Sequence, residues 1–346
     1  MPVSDYELVQ SWRQVLGLCN LQAGQSVTLL TSSATNEQTL RCAILAVQEK
    51  GAFANRLDLQ PSNGGTSLSR DPLAYVGKTP LTGNRAAVEM LKASDLVLDL
   101  MTLLFSAEQH EILEAGGRIL LVVEPPEILV RMTPTEEDRT KVLTASARLR
   151  AAKTMTVTSS AGTDATFALG QYPILEEYGF VDKPGRWDHW PSGFLATWAN
   201  EGTAQGKIIL APGDILLPQK SYITSPITCH LENGYVKAIE GGFEAEHLRD
   251  YMESFNDPEV FAISHIGWGL QNRAHWAVMG FYDGEASIGM DPRACAGNFL
   301  WSTGPNNEAG GERDTACHID IPMRNCTVKI DDETVVQDGK LTGDYA

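Results

Sequence analysis

The chain has 346 residues, 43% of them hydrophobic and 21% charged, which suits an ordinary globular protein of about two domains and excludes disordered, collagenous and disulfide-scaffold classes. Lys and Arg number 27 against 44 Asp and Glu, and the resulting net charge of −17 excludes nucleic-acid binding and electrostatic docking on anionic lipid. The opening MPVSDYELVQSWRQVLGL has early acids and no long apolar core, and no stretch approaches the roughly 18 apolar residues of a spanning helix. Neither a secretory leader nor a membrane segment is therefore expected.

Six cysteines lie scattered without a C-x-x-C pair, which points to reduced thiols and a cytoplasmic setting. The sequon Asn325-Cys326-Thr327 is read as accidental.

From residue 26 to about 158, strand and helix alternate. Ser26–Thr31 reads as a buried strand, followed by a polar turn and a helix ending near Gly51 with Leu40, Ile44 and Val47 on one face. Leu96–Leu100 and Ile119–Glu124 are short apolar runs suited to central parallel strands. Between them, Ser106 with Gln109 has the form of a capping box, and Thr133-Pro134-Thr135-Glu136 predicts another helix start, with Pro at its first position. A strand at Thr154–Thr158 completes the set. The pattern predicts a doubly wound α/β layer with a mostly parallel sheet. No G-x-G-x-x-G and no Walker loop is present, so a nucleotide site is not supported. The turn Thr31–Thr35 could hold an anion at a helix N-terminus, though a plain capped turn explains it as well.

From about residue 160 the rhythm changes to short strands punctuated by turns at Asn233-Gly234, Asp283-Gly284 and Asp338-Gly339, with one helix near Glu244–Ser254. The domains expected are 1–160, α/β, and 161–346, a mainly antiparallel β or α+β domain that carries metal and substrate.

Within the second half, Cys317-His318-Ile319-Asp320 is the sharpest local signal. On an extended strand His318 and Asp320 face the same way, presenting two of the three ligands of a 2-His-1-carboxylate facial triad. The plainer account is a half-buried strand histidine beside a solvated aspartate. The third ligand must come from elsewhere: His265 sits among glycines in SHIGWG, His275 is in a polar setting beside Arg273, and His247 lies on the predicted helix. His189 stands between Trp187 and Trp190, a surround that could stack an aromatic ligand or simply pack. No G-x-S-x-G elbow appears, and adjacent strand residues point apart, so neither a serine hydrolase nor a Cys317–His318 nucleophile pair is favoured.

Taken together, GRW (185–187), WPSGFL (190–195), SHIGWGLQN, GNFLWSTG, Gly310-Gly311 and CHID resemble the M29 metallo-aminopeptidase superfamily over most of the chain. Within it the likeness is to the 2,5-dihydroxypyridine 5,6-dioxygenases of aerobic nicotinate degradation. Where the peptidases carry metal-binding Glu, Glu and His, this chain has Phe194, His265 and Leu300, while His318 and Asp320 are kept. Two histidines and one aspartate favour mononuclear Fe(II), one per chain, over a dinuclear hydrolytic site.

The resemblance thus implies ring cleavage of 2,5-dihydroxypyridine with O2 to N-formylmaleamate, on Fe(II) held by His265, His318 and Asp320. It also implies a histidine base where this chain has Phe105, which cannot move a proton. Either His189 serves instead, or the chain binds substrate with impaired chemistry. Leu104, Glu177, Arg293 and Ser302 are the substrate-binding candidates, each also readable as packing, a surface ion pair or a turn hydrogen bond. A homo-oligomer is expected. The rivals are a metallo-aminopeptidase and a non-enzymatic small-molecule-binding protein.

Overall fold

In the computed structural model, residues 2–59, 79–103, 106–217, 219–282 and 286–345 are described. The chain divides into two compact units built from discontinuous stretches. One comprises Met1–Arg139, Glu177–Ser192 and Glu285–Met290; the other comprises Thr140–Glu176, Gly193–Gly284 and Asp291–Ala346.

The first unit is built on a five-stranded sheet in the spatial order Phe53–Asp58, Ser26–Thr31, Leu96–Asp99, Ile119–Leu121, Trp187–His189. Each neighbouring pair is parallel. Numbered within the sheet, that order is 2-1-3-4-5, a doubly wound arrangement whose switch point lies between Ser26–Thr31 and Leu96–Asp99. Side-chain caps set the helix starts, the one at Ser106 where the sequence predicts it. Asn36 caps Glu37–Glu49 by accepting from the Thr39 N–H, and Ser106 caps Ala107–Glu114 by accepting from the Gln109 N–H. Leu30, Val88, Leu91, Val97, Ile112 and Ile119 are fully buried in the core between these layers. Burial of each such side chain contributes about 1.5–3 kcal/mol. In the Thr31–Thr35 turn, Thr35 Oγ1 accepts from the Ser32 N–H and donates to the Leu100 carbonyl.

Two expectations for this half need correction. The helix Glu136–Ala151 starts after Pro134, because Thr135 and Asp138 exchange side-chain and backbone hydrogen bonds and so cap it. The strand Thr154–Ser159 does not belong to the parallel sheet at all. Met155 and Val157 are buried while Thr158 is exposed, a one-faced alternation suited to an antiparallel sheet. The fifth parallel strand is instead Trp187–His189.

In the second unit, Thr154–Ser159 pairs antiparallel with Asp164–Ala168 and Cys326–Ile330 inside an eight-stranded sheet. Asn233 and Gly234 join two of its strands with φ of 52° and 83°, and Asp338 and Gly339 join two more with φ of 48° and 77°. Both are the left-handed pairs that tight hairpins require. The expected turn at Asp283-Gly284 lies outside the described residues. The expected helix is found at Phe243–Glu253.

A second sheet in this unit has the order Ile319–Met323, Phe299–Thr303, Ile263–Gly269, Phe194–Trp198, Ile174–Glu177. Its first four strands are buried along their whole length. Gly267 and Gly269 permit that packing: a Cβ at Gly267 would sit 1.9 Å from the Leu195 carbonyl oxygen, and one at Gly269 would sit 2.2 Å from that of Cys295. None of the six cysteines, all of them among the described residues, is joined in a disulfide.

Candidate active site

His265 lies on Ile263–Gly269, Asp320 is the second residue of Ile319–Met323, and His318 immediately precedes that strand. The strand Phe299–Thr303 runs between them, so the three residues meet across a sheet rather than along one strand. His265 Nε2 is 3.0 Å from Asp320 Oδ1, His318 Nε2 is 3.1 Å from the same oxygen, and the two imidazole nitrogens are 3.3 Å apart. Donors about 2.1 Å from one ion at right angles lie about 3.0 Å apart, so the triangle fits three cis ligands of a single metal. Asp320 Oδ1 is buried and receives no well-directed hydrogen bond from a described residue.

The electrostatics suit the same use. Burial pushes His265 below the ordinary histidine range despite the pull of Asp320, which leaves a neutral imidazole. Burial alone would raise Asp320, but Arg293 and the two imidazoles hold it well below the carboxylate range. The group therefore presents two imidazole nitrogens and one carboxylate.

What aims His265 was not legible from spacing. The ladder between Ile263–Gly269 and Phe299–Thr303 slips register between Ile263 and Ile266, an irregularity that redirects the side chains within it. Ser302 fills the gap. Its Oγ accepts the His265 N–H at 2.9 Å and donates to the His265 carbonyl at 3.2 Å. Arg293 Nε donates to Asp320 Oδ2 at 2.6 Å, so Oδ1 is the oxygen turned toward the histidines. Ser302 and Arg293, expected at the substrate, thus make their described contacts with the ligand residues themselves. Phe194 and Leu300 are buried in the strands beside them. Glu308, which sequence reasoning passed over, has its carboxyl pushed up to about 8 by burial and by the Asp320 charge. His275 and His247 lie apart from this group: the His275 N–H is bonded to Asp291, and the His247 ring stacks on Phe243.

In the first unit a second buried cluster joins Glu177, Asp188 and His189, whose ligand atoms all lie within 4.8 Å of one another. His189 Nε2 is 3.4 Å from Glu177 Oε2, and its Nδ1 is 2.7 Å from the Pro191 carbonyl oxygen. A carbonyl only accepts, so Nδ1 carries a proton, and Nε2 is the basic nitrogen whenever the ring is neutral. Asp188 Oδ2 takes Arg186 at 2.6 Å and the N–H groups of Tyr178 and Gly179, and Oδ1 takes the His189 N–H. A carboxylate so occupied suits an anchoring role better than metal ligation. Of the flanking tryptophans, Trp187 meets the His189 ring edge-on, whereas Trp190 packs on Trp12 and donates to the Leu129 carbonyl.

His189 ends its parallel strand, on the carboxyl edge of the sheet where doubly wound folds bind ligands. Asp99 ends another, and its carboxylate accepts the N–H groups of Met101 and Leu103. The chain then enters Leu104 and Phe105, which lie outside the described residues.

The parallel α/β unit, the antiparallel sheets and the two-histidine, one-aspartate group define an α/β protein with a candidate metal-binding group. Wild-type AmpT from Thermus thermophilus shares the fold, with a TM-score of 0.64 over 98% of this chain and 99% of that one at 14% identity. The chain belongs to the 2,5-dihydroxypyridine 5,6-dioxygenase family, whose profile matches residues 7–343. It is 52% identical over 341 residues to the 2,5-dihydroxypyridine 5,6-dioxygenase of Pseudomonas putida KT2440, covering 99% of this chain and 97% of the relative. The solved structure of the 2,5-dihydroxypyridine dioxygenase from that organism matches with a TM-score of 0.96 at 51% identity, over 99% of both chains.

Proposed function

We propose that this chain cleaves 2,5-dihydroxypyridine with O2 between ring carbons 5 and 6, giving N-formylmaleamate, with one Fe(II) held by His265, His318 and Asp320. The observation that carries the reading is the buried triangle of two imidazole nitrogens and one carboxylate oxygen in a chain of this family. Fe(II) bound there would supply open positions for the ring oxygen and O2 and a route for electrons between them.

The protein's own groups do the rest. Arg293 keeps Asp320 ionised and oriented, and Ser302 keeps His265 aimed. His189, with Nδ1 committed to the Pro191 carbonyl, takes the proton of a ring hydroxyl at Nε2, the task for which Phe105 is unfit. Glu177, and the Leu104 that precedes Phe105, contact the substrate ring. Burial of the ligand residues keeps bulk water from the charged group. Among the described residues no helix is long and apolar enough to cross a membrane, and we take the protein to work in the cytoplasm as a homo-oligomer.

Metal analysis of anaerobically purified protein and of His265→Ala tests the core of this reading, followed by oxygen uptake with 2,5-dihydroxypyridine. About one iron per chain, lost in the variant, with uptake that depends on it, is the expected result. Two zinc ions per chain indifferent to His265, with amino acids released from peptides, would overturn it in favour of a peptidase. No bound metal would leave a binding protein.

A further inference from the structure

The first-unit cluster poses a charge problem. Glu177 and Asp188 are both fully buried, and His189 is nearly so. Two bare carboxylates this close, away from water, repel each other strongly, so one of them must be compensated or protonated. Arg186 settles the matter for Asp188: its guanidinium donates to Oδ2 at 2.6 Å, lies with Cζ 3.7 Å over the Tyr178 ring and is itself anchored to the Phe180 carbonyl. Burial would raise Asp188, yet the charge of Arg186 keeps it below the usual carboxylate range. Oδ2 is filled by three N–H donors, whereas Oδ1 takes one and retains room for another.

We propose that Asp188, held as a carboxylate by Arg186, is a positioning residue that keeps Glu177 protonated and thereby leaves His189 neutral, with Nε2 as its basic nitrogen. Glu177 lends its O–H to Asp188. Were Glu177 ionised instead, it would sit 3.4 Å from His189 Nε2 and draw a proton onto the ring, disabling it as a base. The other charged and titratable groups around the cluster belong to the same frame. Tyr178 donates to Asp182, and Cys19 accepts the Val181 N–H, while Arg118 donates to the Val181 carbonyl. The inference rests on His189 being the base for ring-hydroxyl deprotonation, as proposed above.

Infrared difference spectroscopy and pH–rate profiles of the metal-loaded enzyme test it together. The wild type minus Glu177→Gln spectrum near neutral pH should contain the carbonyl stretch of a protonated carboxylic acid. The same band should vanish in Asp188→Asn, where Glu177 ionises. The acidic limb of kcat/KM for ring cleavage should move up by about one pH unit in Asp188→Asn. In the Glu177→Gln background, Asp188→Asn should no longer move it. Absence of the acid band from the Glu177→Gln difference spectrum overturns the proposal, and does so even if Asp188→Asn fails to fold. A limb that Asp188→Asn leaves in place also overturns it. His189→Gln separates the two ideas: a limb that survives this change refutes His189 as the base, whereas the infrared result does not depend on that assignment.

Discussion

Replacing Ser302 by Ala removes one oxygen atom, and the structure states what that atom does. It is fully buried and bonds both the N–H and the carbonyl of His265, at the point where the strand ladder loses register. Without it the His265 N–H has no acceptor there, and an unsatisfied buried donor costs about 1–3 kcal/mol. Taking about 2 kcal/mol and an unfolding entropy of about 0.7 kcal/mol per kelvin for a chain of this length, Tm should fall by about 3 °C. The metal-binding geometry relaxes with the irregular segment, so iron content should fall in the same preparation. Thermal melts with and without chelator, metal analysis and ring-cleavage kinetics on Ser302→Ala measure all three effects. An unchanged Tm and full iron content with KM raised tenfold or more would refute this reasoning. That result would return Ser302 to the substrate contact suggested by family likeness.

Other outcomes follow from the same structure. Arg293→Ala strips Asp320 of its cationic partner; Asp320 should then protonate at higher pH, and iron loss on acidification, followed by metal analysis across a pH series, should begin earlier than in the wild type. Burial raises Asp99 from the ordinary aspartate range to about 6, so the folded state binds more protons in this range and the residue favours folding as pH drops from 7 toward 5. Urea unfolding at both pH values should therefore show a difference about 1 kcal/mol smaller in Asp99→Asn than in the wild type. Gly267→Ala drives a Cβ into the Leu195 carbonyl and should yield protein that melts many degrees lower and holds no iron, as judged by calorimetry and metal analysis. Phe105→His should raise the rate of ring cleavage by about tenfold or more at neutral pH, and no gain would remove any role for a base at that position.

The α/β rhythm, the Asn233-Gly234 and Asp338-Gly339 hairpins and the helix start at Ser106 could be read directly because each depends on neighbours in sequence: a cap, a turn or a short apolar run. Thr154–Ser159 was misassigned because alternation fixes which face of a strand is buried but not which sheet it joins. The sheet was closed instead by Trp187–His189, a short strand distant in sequence, and local pattern has no means of choosing such a partner.

The same division holds for the site. Residue types and the two-residue spacing of His318 and Asp320 were enough to name two candidate ligands, and the motifs around them were enough to suggest the family and, through it, His265. The tertiary structure brought His265 across Phe299–Thr303 to within 3.0 Å of Asp320. It also committed the Ser302 hydroxyl to the His265 backbone, turned Arg293 onto Asp320 and gathered Glu177, Asp188 and Arg186 around His189. Ligand identity is a property of side-chain chemistry, which a sequence carries in full. The aim, charge and protonation of those ligands depend on burial and on partners that only folding brings within hydrogen-bonding distance.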